Sequence, residues 1–127
     1  MTETSTPTTA QILSGMATAM GEVPMAIVKA ASSDPRMLME QVRSSTFAMP
    51  GENPALDDQT RTLIYLAVAL ATSNSACTQA MINKARVQNI PSEKLLEAFH
   101  IARYAMATQV VGNAEVVFDL ISEREVS

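Results

Sequence analysis

Two side chains of this 127-residue protein are candidates for nucleophilic or acid–base chemistry, because each is the only one of its type. Cys77 is the single cysteine and His100 the single histidine. Cys77 follows Ser73, Asn74 and Ser75, which are typical of helix caps, so the sequence places it in the first turn of a helix. There the helix dipole favours a reactive thiolate. The alternative is a small buried hydrophobe that only packs.

His100 shares a predicted helix face with Arg103 and Tyr104, three and four residues further on. Together these side chains would bind an anion or form an acid–base pair. A solvated or interface face is the competing interpretation, since Glu97 is the only nearby acidic residue and suits a plain intrahelical contact. This cluster is therefore a possible pocket or interface.

Metal and cofactor chemistry is not expected. One cysteine and one histidine far apart in sequence do not make a metal site, and no cofactor is predicted. A single cysteine also excludes an intrachain disulfide. Nine methionines are either filler for the core and subunit interfaces or the lining of a soft ligand pocket.

Composition limits the class of protein. The net charge of −4 and the lack of a basic run disfavour a nucleic-acid partner. The apolar run LIYLAVALA, residues 63–71, is too short to span a membrane, and polar residues follow it. The first ten residues do not resemble a secretory signal, so we expect a cytoplasmic protein.

Helical spacing of apolar residues and only four glycines predict an all-α bundle of about six or seven helices. We expect a disordered tail over residues 1–8 and a single domain over 9–127. Predicted boundaries include a stop at Gly21, caps at Asp34 and at Asp57 or Asp58, and a bend near Gly112. The fourth helix should bury the stripe Leu63, Leu66, Ala67 and Leu70, widened by Ile64 and Val68. One face of the sixth should carry Leu95, Leu96, Phe99, Ala102 and Met106.

Residues 56–110 resemble the carboxymuconolactone decarboxylase family, including its alkyl hydroperoxidase D-like (AhpD-like) branch. The resemblance rests on an acidic cap, a Thr-Arg pair, the helix LIYLAVALAT, a cysteine at the next helix start and the later run PSEKLLEAFHIA. It implies the AhpD-like bundle and a homo-oligomer, commonly a trimer or hexamer.

In the redox branch of that family, a glutamate lies twelve residues before the first cysteine of a C-x-x-C motif, and a histidine follows four residues after the second cysteine. The resemblance places Thr62 at the glutamate position, Asn74 at the first cysteine, Cys77 at the second and Met81 at the histidine. Only one of the four family residues is retained. A thioether is no general base, and Asn74 cannot form a disulfide, so the dithiol cycle is absent within one chain.

These residues predict an oligomeric family member that binds a ligand or has a structural role, without dithiol peroxidase activity. Two enzymatic alternatives stay open. One is a single-cysteine peroxidase or thiol–disulfide oxidoreductase that uses Cys77 and an external resolving thiol. The other is a cysteine-independent decarboxylase or isomerase of a small lactone or acid that relies on His100, Arg103 or Tyr104. A neighbouring subunit that brings His100 or an acidic residue to Cys77 is a further route to a complete relay.

Overall fold

A computed structural model describes residues 6–126 and contains seven α-helices, with no strand in this range. The predicted all-α fold is confirmed. The helices are α1 Thr9–Met20, α2 Met25–Ser33, α3 Pro35–Ala48, α4 Asp58–Ala71, α5 Ser75–Val87, α6 Ser92–Asn113 and α7 Glu115–Val126. The tail predicted over residues 1–8 falls mostly outside the described residues; residues 6–8 are irregular.

Short polar side chains begin four of these helices. Thr8 and Gln11 form a capping box at α1, and the side chains of Asp34, Asp57 and Asn74 accept backbone N–H groups at the starts of α3, α4 and α5. Each bond satisfies a donor that the helix itself leaves unpaired. The same hydrogen bonding lowers the pKa of Asp57, whose carboxylate accepts from the first turn of α4. The predicted starts of α3, α4 and α5 are thus confirmed.

Two apolar clusters hold the helices together. Ile12, Ala31 and Leu38 join α1, α2 and α3, while Leu66, Ala80 and Met81 join α4 and α5, with Leu95 of α6 packed against them. Met20 at the end of α1 also packs on the second cluster, and α1 lies against α5. The second cluster is the part that positions the start of α5 beside α4.

The predicted buried stripe of α4 is confirmed at Leu66, but its widening by Ile64 and Val68 is wrong. The buried residues are Thr62, Leu66 and Ala69, whereas Ile64 and Val68 are exposed. Thr62 is buried because its hydroxyl has a partner on the neighbouring α5 end, and Ala69 is small enough to lie under the helix contact. Ile64 and Val68, which sequence spacing assigns to the core, are left for another surface.

The C-terminal helices follow the predicted order. On the face predicted for α6, Ala102 is buried and Leu95 is partly buried, while the rest is exposed. The break expected around Gly112-Asn113 comes one residue later, at Ala114, with φ −84 and ψ 2. Within residues 6–126, none of the helices combines the length and the apolar character that a bilayer crossing requires.

Candidate functional site

The turn between α4 and α5 places Cys77. Ser73 adopts a left-handed conformation with φ 56, and the chain then enters α5 at Asn74. The Asn74 side chain accepts the backbone N–H of Cys77 at 3.0 Å, so Asn74 is the N-cap of α5. Cys77 is the third residue of the helix and is partly exposed. The thiol therefore lies in the first helical turn, as the sequence predicts.

Tyr65 of α4 is the nearest polar partner of that thiol. Its hydroxyl lies 3.5 Å from Cys77 Sγ, within hydrogen-bond reach of a sulfur atom. The pKa of Tyr65 is raised, first by this hydrogen bond, then by burial and by the charge of Cys77. The Tyr65 hydroxyl is therefore placed to donate a hydrogen bond to Cys77 Sγ.

Beside this pair lies an open cavity of about 360 Å³. Its walls are mostly apolar and come from the end of α3, the loop that follows and one side of α4. Met49 and Leu56 line it from the chain segment after α3, and Ile64 and Val68 line it from α4. A volume of this size is within the range of small-molecule sites. The exposed residues Ile64 and Val68, wrongly assigned to the core, are thus residues of this cavity.

The polar atoms of the cavity lie along α4 and at the start of α5. Besides Tyr65 and Cys77, they belong to Arg61, Thr72 and Asn74. Arg61 is held in place because its guanidinium donates to the carbonyl oxygen of Pro50 at 3.0 Å and pairs with Asp58. Arg61 is therefore a fixed part of the cavity wall, and the Asp58 carboxylate compensates its charge.

Thr62, at the glutamate position of the resemblance, is fully buried with 0% exposure. Its hydroxyl donates to Gln88 Oε1 at 2.8 Å, and Gln59 donates to the Gln88 carbonyl at 3.0 Å. This small network ties the start of α4 to the end of α5. The glutamate position of the family motif therefore holds an uncharged side chain whose hydroxyl is hydrogen-bonded to Gln88.

Met81, at the histidine position, is 6% exposed and packs with Leu66 and Ala80. It lies one turn after Cys77 on α5, but it does not line the cavity. The two positions that would supply a carboxylate and a base are thus both in the packed interior between α4 and α5.

His100, Arg103 and Tyr104 all lie exposed on α6, and none of them lines the cavity beside Cys77. The ring of His100 is tilted against that of Phe99, with centroids 5.6 Å apart. Arg103 borders a second, smaller groove of about 170 Å³ between α4 and α6, together with Phe99 and Met106. The structure therefore does not bring this predicted cluster to the thiol.

Among residues 6–126, no three His, Cys, Asp or Glu side chains lie close enough together to hold a metal ion.

Sequence reasoning missed Tyr65 and Arg61. Tyr65 lies three residues after Thr62, about one turn further along α4, and Arg61 directly precedes Thr62. The signal was available, because a side chain one turn from the glutamate position also approaches the start of α5. It was overlooked because the prediction followed only the four positions of the motif.

The chain matches the model of a known protein family. The model of the carboxymuconolactone decarboxylase family matches residues 38–116, which is more than half of the chain and includes α4, α5 and α6. No curated protein matches the chain.

Proposed function

The chain belongs to the carboxymuconolactone decarboxylase family, and from this premise we propose that it is a member without the dithiol relay that binds a small, largely apolar molecule beside Cys77. The first support is chemical. The chain has one cysteine, so no disulfide forms and breaks within it. Asn74 caps a helix, while Thr62 and Met81 are packed.

The cavity is the observation that carries the ligand-binding proposal. Most of its wall is apolar, and Tyr65 and Cys77 lie together at one edge. Burial of apolar surface supplies most of the affinity in such a site, and a few polar groups orient the ligand. The ligand class that fits is a compact apolar body with one hydrogen-bonding group, placed to meet the Tyr65 hydroxyl.

The probe 1-naphthol has this chemistry and tests the proposal. We expect it to slow the alkylation of Cys77 by iodoacetamide in the native protein, because a molecule in the cavity covers the thiol. Val68→Trp should abolish that protection, since Val68 lines the cavity and the larger side chain fills it. The measurement is the alkylation rate with and without the probe, followed by mass spectrometry.

Val28→Trp is the matched control, because Val28 is an exposed valine on α2 that does not line the cavity. Its protection by 1-naphthol should equal that of the unchanged protein. Equal protection in all three proteins would place the probe elsewhere, and no protection in any of them would remove this ligand class.

We also propose that the chain forms a homo-oligomer, with the three or six copies that the family resemblance implies. The chain of 13.6 kDa exposes 9644 Å², whereas a compact monomer of that mass exposes about 6,600 Å². Many large apolar side chains contribute to the excess of about 3,000 Å². That excess is ample for the interfaces of a permanent assembly. The proposed compartment is the cytoplasm, where a lone thiol stays reduced.

A second candidate function is favoured by the contact between Tyr65 and Cys77. In a single-cysteine peroxidase, the thiolate forms an S–O bond with a peroxide while the O–O bond breaks, and the leaving oxygen takes a proton from the Tyr65 hydroxyl, which solvent then reprotonates. An external thiol condenses with the sulfenic acid and releases water, and a second thiol reduces the mixed disulfide. The same site would serve thiol–disulfide exchange.

Tyr65→Phe separates this candidate from plain ligand binding. If the Tyr65 hydroxyl stabilises the thiolate, its removal should slow the alkylation of Cys77 at pH 7 by roughly tenfold, equivalent to a hydrogen bond of about 1.5 kcal/mol to a charged group. The rate is followed across pH 5 to 10, with Cys77→Ser as the blank.

Tyr104→Phe removes an exposed tyrosine hydroxyl on α6 and should leave the rate unchanged. A slow reaction in the unchanged protein that becomes fast only on unfolding would rule out thiol chemistry.

A further inference from the structure

The segment between α3 and α4 borders the cavity beside Cys77. Residues 50–56, which we name the α3–α4 strap, lie outside any helix and are all exposed. Met49, directly before the strap, and Leu56, at its end, both line the cavity. The position of the strap therefore determines the shape of this part of the cavity wall.

The strap has little hydrogen bonding of its own. Among residues 6–126, no backbone–backbone hydrogen bond involves residues 50–56. Pro50 and Pro54 lack the N–H group that would donate one. Asn53 adopts a left-handed conformation with φ 48, which asparagine tolerates better than most residues. Such a segment needs an anchor on another element to keep one position.

Arg61 of α4 supplies that anchor. Its Nη1 donates to the carbonyl oxygen of Pro50 at 3.0 Å, and its Nη2 pairs with the carboxylate of Asp58. Within the described part of the chain, the bond to Pro50 is the one hydrogen bond that joins the strap to another element. The Arg61 side chain is only 15% exposed, and a guanidinium serves two acceptors at once in a fixed geometry. Asp58 therefore orients Arg61, and Arg61 holds the strap.

We propose that Arg61 is a clamp that holds the α3–α4 strap against α4, and that the closed strap and a ligand in the cavity stabilise each other. This inference concerns the regulation of the ligand site proposed above and rests on it. Because Met49 and Leu56 line the cavity, a bound apolar molecule packs against them and favours the closed strap. By linkage, the closed strap raises the affinity for that molecule by the same factor. Arg61 is thus a positioning residue that acts on the ligand through the strap.

Cleavage after Glu52 by a glutamate-specific protease measures the opening of the strap, because the protease must draw this segment away from α4. Arg61→Met removes the hydrogen-bond donors and keeps an unbranched side chain. We expect it to speed this cleavage by roughly tenfold, the factor that corresponds to one lost hydrogen bond from a charged donor. Arg61→Lys should give an intermediate rate, because a single ammonium group does not reproduce the guanidinium fork. The peptides are quantified over time by mass spectrometry.

Two controls separate the clamp from a general loosening of the protein. Glu22 lies exposed between α1 and α2, so cleavage after it serves as an internal reference whose rate should not change. Arg43→Met is the matched control, because Arg43 pairs with Glu40 three residues away on α3 and does not line the cavity. It should leave the cleavage after Glu52 unchanged. An Arg61→Met protein with unchanged cleavage after Glu52, or with equal acceleration after Glu22, would overturn the clamp.

The probe 1-naphthol tests the coupling between the strap and the ligand. In the unchanged protein it should slow the cleavage after Glu52. In Arg61→Met, roughly ten times more probe should be needed to protect Cys77 from iodoacetamide, the same factor as for the strap. Equal protection of Cys77 in both proteins would overturn this inference and leave the ligand site standing. If neither protein is protected while Arg61→Met still speeds the cleavage after Glu52, the ligand site and its coupling to the strap fail and the clamp alone stands.

Discussion

Thr62→Glu is expected to destabilise the protein by roughly 3–5 kcal/mol at neutral pH, the cost of an uncompensated buried charge. It restores the carboxylate that the redox branch of the family carries at this position, but Thr62 is fully buried and its one side-chain partner is the neutral Gln88. An amide can donate one hydrogen bond to the carboxylate and cannot compensate its charge. The measurement is the free energy of unfolding from urea titrations at several pH values.

The pH dependence identifies the cause. Burial raises the pKa of a glutamate at this position above its unfolded value of about 4.3, so the unfolded state gives up its proton first. Relative to the unchanged protein, the variant should therefore be least impaired near pH 4 and lose stability as the pH rises toward the folded pKa. Thr62→Gln controls for size and should show a smaller penalty with no pH trend. Equal stability of Thr62→Glu and Thr62→Gln at pH 7 would contradict the prediction, because the carboxylate would then carry no cost of burial.

Residues typical of helix ends predicted much of the fold, because each cap or stop depends on only a few adjacent residues. The Asp34-Pro35 pair and the Asp57 cap set the starts of α3 and α4, and Gly21 ends α1 with φ 76. The cap residues Ser73, Asn74 and Ser75 likewise located Cys77 at the start of α5. These features require no knowledge of which helix packs on which.

The buried face of α4 was not predictable in the same way. Leu63 and Ile64 are adjacent and similar in hydropathy, so spacing alone does not select between neighbouring faces of the helix. In the structure, α4 turns Thr62 toward Gln88, a contact between residues 26 positions apart, and turns Tyr65 toward Cys77. The candidate site is therefore a consequence of tertiary packing.

Exposed apolar residues show a further limit of predicting burial from sequence spacing. In α6, helical spacing places apolar residues such as Phe99 and Met106 on one face, yet these side chains are 46% and 40% exposed. Spacing alone does not say whether a face that collects apolar residues is covered.

Met81→His is expected to destabilise the protein by roughly 2–5 kcal/mol, the range for loss of a buried methionine side chain from a core. It restores the base of the family motif, yet Met81 is only 6% exposed and packs against Leu66 and Ala80. An imidazole there replaces apolar contacts with ring nitrogens that lack a described partner. The free energy of unfolding measures the loss, and the alkylation rate of Cys77 shows whether the new imidazole reaches the thiol.

The pH trend should run opposite to that of Thr62→Glu. Burial lowers the pKa of an imidazole below its unfolded value of about 6.5, so the unfolded state binds the proton first. The penalty should be smallest above that pH and should grow as the pH falls toward the folded pKa. Met81→Leu keeps the volume and should cost less than about 1.5 kcal/mol at every pH. A Met81→His protein that stays stable near pH 5 and alkylates faster at Cys77 would mean that the imidazole leaves the core and reaches the cavity, so that a single substitution recovers part of the relay.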